Sequence, residues 1–333
     1  MEQITVLGAG AWGTTLAWML AREGQSVRLW CLEEDLAEEM RRTRRNLRYR
    51  REIELPANLE ICTDFGVALA GAEVVVSVVP SRWLRNVLTQ AREHLASRPF
   101  LISATKGLEE STSRRMSQVL HEVLGEDWPL AVLSGPNLSK EIALGMPAMS
   151  VAAATDPELA ARAQKLLSSP VFRVYRNYDI IGVELCGALK NVIAIGAGIC
   201  EGLEFGANAK AALITRGLAE MGRLGTRLGA QAATFWGAAG VGDLVATANS
   251  HDSRNWNVGF DLAHGRTWEE IQHSTYSVAE GVYTAVAARQ LGRELDLALP
   301  ITEALCSILF EGMSVAEAVR GLMTRPERAE NED

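Results

Sequence analysis

At 333 residues the chain is long enough for two ordinary domains or one large one, and 48% hydrophobic against 22% charged residues is the balance of a globular protein with a core. A formal charge of −8 sets the molecule as a whole against nucleic acid and anionic membrane, so an anionic ligand has to meet a local basic cluster. The five cysteines, Cys31, Cys62, Cys186, Cys200 and Cys306, are odd in number, widely spaced and without a CxxC pair, and the histidines are scattered. That pattern argues against a disulfide framework and a zinc site, and for a reducing, cytoplasmic setting with no metal.

Met1-Glu2-Gln3 is not the basic start of a signal peptide, and the apolar residues 4–11 run into glycines instead of a cleavage site. From there to about residue 178, short apolar runs alternate with amphipathic stretches, the pattern of βα units on a doubly wound, mainly parallel sheet. Strands are expected at 4–7, 27–30, 74–79, 101–104, 130–133, 149–153 and 171–175, with helices at 14–22, 33–40, 109–124 and 157–167. The run Val74-Val75-Val76-Ser77-Val78-Val79 is apolar almost throughout, as for a strand covered on both faces. After residue 178 the texture changes to helical stretches at 180–199, 207–228, 277–291 and 302–310, with no alternating strand between them. The expected organisation is an α/β Rossmann domain over 1–178, an all-α domain over 179–325 and a frayed, charged tail over 326–333. Residues 180–199 imitate a membrane span but carry Glu184, Lys190 and Asn191. An ion at mid-span costs about 2.5–3.5 kcal/mol, so a buried helix of a soluble protein is expected.

The first expected strand leads directly into Gly8-Ala9-Gly10-Ala11-Trp12-Gly13, and a helix follows. GxGxxG alone is a weak signal, but strand before and helix after is the context that dinucleotide binding demands. Gly8 allows the tight turn, Gly10 the approach of a pyrophosphate and Gly13 close packing of helix on strand, while the helix N-terminus offers N–H groups to the phosphates. Glu33 lies 20 residues past Gly13, where an acid meets the ribose hydroxyls of NAD and repels the extra phosphate of NADP. It reads nearly as well as a solvated residue opening an acidic helix, and Arg41, Arg42, Arg44 and Arg45 close by offer charge to NADP.

Ligands of such sheets sit beyond the carboxyl ends of the strands. Two expected strand ends open into Ser103-Ala104-Thr105-Lys106-Gly107-Leu108-Glu109 and Ser134-Gly135-Pro136-Asn137-Leu138-Ser139-Lys140. Each reads singly as a helix cap, although a cation at such a junction, Lys106, would face the reactive end of a bound cofactor. Lys190, amid Cys186-Gly187-Ala188-Leu189 and Asn191-Val192-Ile193, either snorkels to the surface or is desolvated as a general base. Downstream lie Lys210 and Arg216 in a small-residue helix, Gly242-Asp243-Leu244, and the polar loop His251-Asp252-Ser253-Arg254-Asn255. Arg254 there offers a fork that matches phosphate; the plainer reading makes Asp252 or Ser253 a helix N-cap and leaves Arg254 solvated.

Taken together and in order, Gly8–Thr14, Ser103–Glu109, Leu133–Pro136, Gly187–Ala194, Ala209–Gly217, Gly242–Leu244 and Ser253–Asn255 resemble the bacterial NAD(P)-dependent glycerol-3-phosphate dehydrogenases, a likeness running from residue 4 to about 310. The resemblance implies hydride transfer between NAD(H) and/or NADP(H) and a small phosphorylated three-carbon substrate, sn-glycerol 3-phosphate or dihydroxyacetone phosphate, in the supply of glycerophospholipid synthesis. It implies Lys190 as proton acceptor oriented by Asp243. Lys106, Gly135, Asn137, Lys190, Asp243, Ser253, Arg254 and Asn255 would hold substrate. Ala11, Trp12, Lys106, Ser139, Arg254, Val278 and Glu280 would line the cofactor beside Gly8, Gly10, Gly13 and Glu33. Neither nucleic acid nor membrane insertion is expected, and a homodimer is the assembly considered. The chain departs from the family pattern at Asn137, commonly Ser or Thr, at Ser139, commonly Ala, and at Leu32-Glu33, where basic residues often meet the NADP phosphate. Two other readings stand beside this one: a two-domain dehydrogenase of a hydroxy acid or acyl thioester, and a dinucleotide sensor without turnover. Ser253-Arg254-Asn255 with two lysines speaks against the first, and Lys190 with Asp243 against the second.

Overall fold

Among the described residues, eight strands form a single sheet: β1 (Gln3–Leu7), β2 (Ser26–Trp30), β3 (Leu59–Cys62), β4 (Val74–Ser77), β5 (Phe100–Ser103), β6 (Leu130–Ser134), β7 (Ala148–Ala153) and β8 (Phe172–Asn177). The order is β3-β2-β1-β4-β5-β6-β7-β8. The computed structural model describes residues 2–95, 97–274, 278–327 and 329–330. All neighbours pair in parallel except β6 and β7, which are antiparallel, so β7 and β8 run against the other six. The strand order reverses beside β1, which opens a crevice at the carboxyl ends of β1 and β4, the usual ligand position in such sheets. β3 was not anticipated: Leu59-Glu60-Ile61-Cys62 is too short to show a period, and only its place beside β2 makes it a strand.

Among the described residues, seven α-helices lie between the strands: α1 (Ala11–Arg22), α2 (Glu34–Thr43), α3 (Phe65–Leu69), α4 (Ser81–Ala91), α5 (Met116–Leu124), α6 (Ser139–Ala143) and α7 (Pro157–Leu167). Alternate strand residues feed two separate cores. Val6, Leu29 and Ile102 face one, and Leu7, Val75 and Leu101 the other, which is why the central strands read as continuous apolar runs. The helix expected over 109–124 begins only at Met116. Thr112 Oγ1 donates to the Glu109 carboxylate and Ser113 stands at φ 55°, so local side-chain bonding competes with the helix in this Ser/Thr-rich stretch.

The rest is helical: α8 (Ile180–Gly202), α9 (Ala207–Arg227), α10 (Ala232–Phe235), a π-helical turn (Ala238–Gly242), α11 (Asp243–Ala248), α12 (Arg254–Ala263), α13 (Trp268–His273), α14 (Glu280–Glu294), α15 (Pro300–Phe310) and α16 (Val315–Met323). The span-like α8 is a core helix, its most apolar stretch 89% buried. Other helices approach it closely: a Cβ on Gly259 of α12 would lie 1.8 Å from the Ile195 carbonyl oxygen. Ser277, expected in a helix, lies outside the described residues, and α14 starts at Glu280. Of the expected tail, residues 328 and 331–333 lie outside the described residues, and 326, 327, 329 and 330 form neither helix nor strand.

The chain divides into two compact units, Met1–Lys106 with Arg115–Glu184, and Gly107–Arg114 with Leu185–Asp333. It passes between them at 106/107, 114/115 and 184/185, where the sequence suggested one break after residue 178. Within the first unit, Glu184 is tied to the start of α5. Its carboxylate accepts from Arg115 Nη1 at 2.5 Å, from the Ser117 backbone N–H at 2.7 Å and from Ser117 Oγ at 2.6 Å. Glu184 is buried, its side chain 6% exposed, and Arg115 is partly buried at 16%. Removing Glu184 takes an acceptor from the buried Ser117 N–H and hydroxyl and from the partly buried Arg115, so Glu184→Ala should cost about 3–5 kcal/mol in chemical denaturation. A loss under about 1 kcal/mol would show that the clamp does not hold α5.

Candidate active site

The loop after β1 has the shape the glycines predict. Gly10 caps α1 in extended conformation without a side-chain bond, leaving the first-turn N–H groups of the helix as donors. A Cβ on Gly13 would lie 1.9 Å from the Gly8 carbonyl oxygen, so helix and strand pack too closely there for any side chain. At Gly10 a Cβ would meet nothing within 4 Å, so protein packing does not demand a glycine at that position. The space it leaves, in front of a helix N-terminus, suits a pyrophosphate. Beside it the indole N–H of Trp12 is buried and finds no hydrogen-bond partner among the described residues. These features fit a dinucleotide.

Asn46, fully buried, braces this loop and was missed by sequence reasoning. Its Nδ2 donates to the Ala9 carbonyl at 2.9 Å and to Thr14 Oγ1 at 2.8 Å, and its Oδ1 accepts from the Tyr49 N–H at 3.0 Å. Nothing local marks such a residue, whose two side-chain acceptors lie 37 and 32 positions away. Ser139 opens α6 and is bonded through its hydroxyl to Arg50, while Thr15 Oγ1 donates to its carbonyl.

Glu33 ends the turn after β2, is half-buried and caps α2 without a side-chain bond. Cys31 beside it is buried, and burial pushes its thiol up to about 12, which makes it inert. At the carboxyl ends of β5 and β6, Lys106 Nζ donates to the Gly135 carbonyl at 2.8 Å and to Asn137 Oδ1 at 2.6 Å. The structure thus brings together three residues that the sequence held in two separate loops. Asn137 in turn donates to Ser150 Oγ of β7 at 3.4 Å.

In the helical unit Lys190 is 6% and Asp243 2% exposed. Lys190 Nζ lies 3.2 Å from Asp243 Oδ1 and donates to Thr247 Oγ1 at 2.6 Å, while Thr247 donates to Asp243 at 3.3 Å. Lys190 is therefore desolvated and charge-compensated, not snorkelling. Thr247 was missed, although its place four residues after Asp243 on one helix was a readable signal. The π-helical turn immediately before Asp243 is a local irregularity of the kind that clusters at functional sites.

Ser253 caps α12, its hydroxyl accepting from the Trp256 N–H at 3.3 Å, and Arg254 is exposed at the first position of that helix. Asn255 is buried and ties three helices together. Its Nδ2 donates to Asn191 Oδ1 of α8 at 2.9 Å, and its Oδ1 accepts from the Gly281 N–H of α14 at 2.8 Å. That bond sets the start of α14, where Val278 and Glu280 are half-buried. Lys210 is paired with Glu201, and Arg216 donates to the Glu330 carbonyl at 3.3 Å.

The chain matches the NAD-dependent glycerol-3-phosphate dehydrogenase N-terminus over residues 3–160 and the C-terminus of the same family over residues 179–320. It is 46% identical over 331 residues to a glycerol-3-phosphate dehydrogenase [NAD(P)+] of Citrifermentans bemidjiense, covering 99% of each chain. A crystal structure of glycerol-3-phosphate dehydrogenase from Coxiella burnetii superposes with a TM-score of 0.94 at 39% identity, over 97% of this chain and 99% of that one. The Saccharomyces cerevisiae glycerol-3-phosphate dehydrogenase structure gives 0.82 at 28% identity, over 96% and 98%. A glycine loop shaped for a dinucleotide, a buried lysine–aspartate pair and full-length likeness agree: the chain belongs to the NAD-dependent glycerol-3-phosphate dehydrogenase family.

Proposed function

We propose that this chain interconverts sn-glycerol 3-phosphate and dihydroxyacetone phosphate with NAD(H) or NADP(H), working in the cytoplasm mainly toward glycerol 3-phosphate for glycerophospholipid synthesis. The observation that carries the reading is the buried trio Lys190, Asp243 and Thr247. When bound, the nicotinamide accepts or supplies the hydride. Lys190 Nζ takes the proton of the C2 hydroxyl as the neutral amine in oxidation, and as the ammonium so formed returns it in reduction. Asp243 and Thr247 hold that nitrogen in place and keep its charge compensated within the apolar helix.

Phosphate recognition falls to the start of α12. The Ser253 cap shapes this N-terminus, whose positive end and first N–H groups favour an anion, and Arg254 adds a fork donor at its first position. Asn255 positions the helix on α8 and α14 through its two amide contacts. In the sheet-bearing unit, Lys106 and Asn137 form one polar cluster and supply a cation and an amide to the ligand. Gly8, Gly10, Ala11, Trp12 and Gly13 hold the pyrophosphate, and Glu33 accepts from the adenosine ribose.

The direct test is loss of reduced-nicotinamide absorbance on adding dihydroxyacetone phosphate. Lys190→Ala should lower kcat by about 10²–10⁴, the range for a lost general base, while leaving dinucleotide binding intact by titration. Turnover near that of the wild type would sink the assignment. Arg254→Lys keeps the charge and loses the fork, so KM for dihydroxyacetone phosphate should rise and preference over unphosphorylated dihydroxyacetone should shrink. An unchanged KM would move the clamp to another cation.

Glu33 predicts that NADH serves at least as well as NADPH. Glu33→Arg should move kcat/KM toward NADPH by about 1–3 kcal/mol, of the order of one charge-assisted contact. A tenfold or greater wild-type preference for NADPH would remove Glu33 from the ribose.

A further inference from the structure

The turn after β2 holds a cation that this reading leaves unused. Arg48, fifteen residues beyond Glu33, returns to the turn with Nη2 2.8 Å from Asp35 Oδ2 and Nη1 4.0 Å from Glu33 Oε1. The other arginines with contacts in this basic run are engaged elsewhere. Arg41 binds Glu34 and the Ile61 carbonyl, and Arg44 binds the carbonyls of Leu55, Pro56 and Leu59. Arg45 reaches Glu54 and the Arg51 carbonyl, and Arg50 reaches Ser139. Among the described residues, Arg48 is the arginine of this run that pairs with Glu33, the carboxylate assigned to the ribose, and what it touches most closely is Asp35.

We infer that Arg48 is the group that receives the 2′-phosphate of NADP(H), and that Asp35 competes with that phosphate for it. The inference rests on the placement of the adenosine ribose at Glu33. With NADH, Glu33 accepts from the ribose hydroxyls and Arg48 remains on Asp35. With NADPH, the guanidinium exchanges one anion for another. The exchange is feasible because the pair is solvated, the side chains being 35% exposed for Arg48 and 73% for Asp35. Exposed pairs contribute little net stability, whereas a guanidinium binds phosphate through two parallel, charge-assisted bonds. Asp35 keeps its charge near neutrality, since the Leu36 backbone N–H first and Arg48 second hold its carboxyl below the ordinary range. Asp35 is thus a specificity residue acting through Arg48, and the turn can serve both cofactors without a basic residue at Leu32 or Glu33.

The test is equilibrium binding of NAD+, NADP+ and 2′,5′-ADP by calorimetry, on proteins whose melting curves match the wild type. Arg48→Ala, with Arg48→Gln as a milder second variant, should weaken NADP+ and 2′,5′-ADP by about tenfold or more, against a far smaller change for NAD+. Asp35→Asn should tighten NADP+ by about three- to tenfold, and that gain should vanish when combined with Arg48→Ala. If Asp35→Asn tightens NADP+ equally without Arg48, the effect is general charge removal and the inference is overturned. It is also overturned if both Arg48 variants bind NADP+ like the wild type, or if NADP+ binding is undetectable in the wild type and in Asp35→Asn alike. Failure of the ribose placement itself shows separately, as NAD+ affinity indifferent to Glu33→Ala.

Discussion

A lysine in the middle of a buried apolar helix is the constraint around which the helical unit is organised. Leaving an ammonium unpaired in such a place costs several kcal/mol, so α8 is stable only with a counter-charge beside Lys190. Asp243 supplies it, and Thr247, one helical turn further along α11, bonds to both partners. The neighbouring position on α8 is used as firmly. Asn191 accepts from Asn255, which in turn receives the Gly281 N–H, so α8, α12 and α14 are joined by one chain of amide contacts. The close approach at Gly259 makes those short contacts reachable. The same features that hold a charge in the core hold its nitrogen in a defined position, which is what a proton-transfer group requires.

In the sheet-bearing unit the corresponding constraint is geometric. Parallel strands deliver their loops to one edge, and the reversal of order beside β1 leaves a crevice there. The glycine loop, the Lys106–Asn137 pair and Glu33 all follow carboxyl ends of strands. Loops at such an edge need fastening, and the fastening is done by buried polar groups with distant partners. Asn46 locks the carbonyl of Ala9, and Lys106 gathers Gly135 and Asn137. Glu184 joins the start of α5 to the start of α8, close to where the chain re-enters the unit and where it leaves it for the last time.

Buried carboxylates recur as substitutes for local helix caps. Glu184 receives the Ser117 N–H at the first turn of α5. Glu220 of α9 does the same for α15, accepting from the N–H groups of Ile301 and Thr302 at 2.6 and 3.2 Å and from the Thr302 hydroxyl. Burial raises the carboxyl of Glu220, its hydrogen bonds oppose that rise, and the result is a group kept for its acceptors instead of for chemistry. Both satisfy orphan donors of the first turn: at α5 the carboxylate adds to a local bond from the Arg115 N–H to Gln118, and at α15 Leu299 has no polar side chain to cap with.

Sequence alone determined the fold class, the glycine loop, the change from α/β to all-helical texture near residue 178, and the residue types from which a site would be built. These are legible because they rest on short-range rules: period, the placement of small residues and the order of strand, turn and helix. The helix over 157–167 was readable for the same reason, with Asp156 and Pro157 marking its start. Tertiary structure decided what local patterns do not encode. It made Leu59–Cys62 a strand through pairing with β2, reversed β7 against β6, and stopped the helix before Met116 short of residue 109. It also chose among readings the sequence left open. Lys190 is desolvated because Asp243, 53 positions away, compensates it, and Ser253 is a cap as well as a site candidate. Asn46, Thr247 and Arg48 gained their places through partners brought near by the fold, and contacts across tens of residues depend on packing that no local period records.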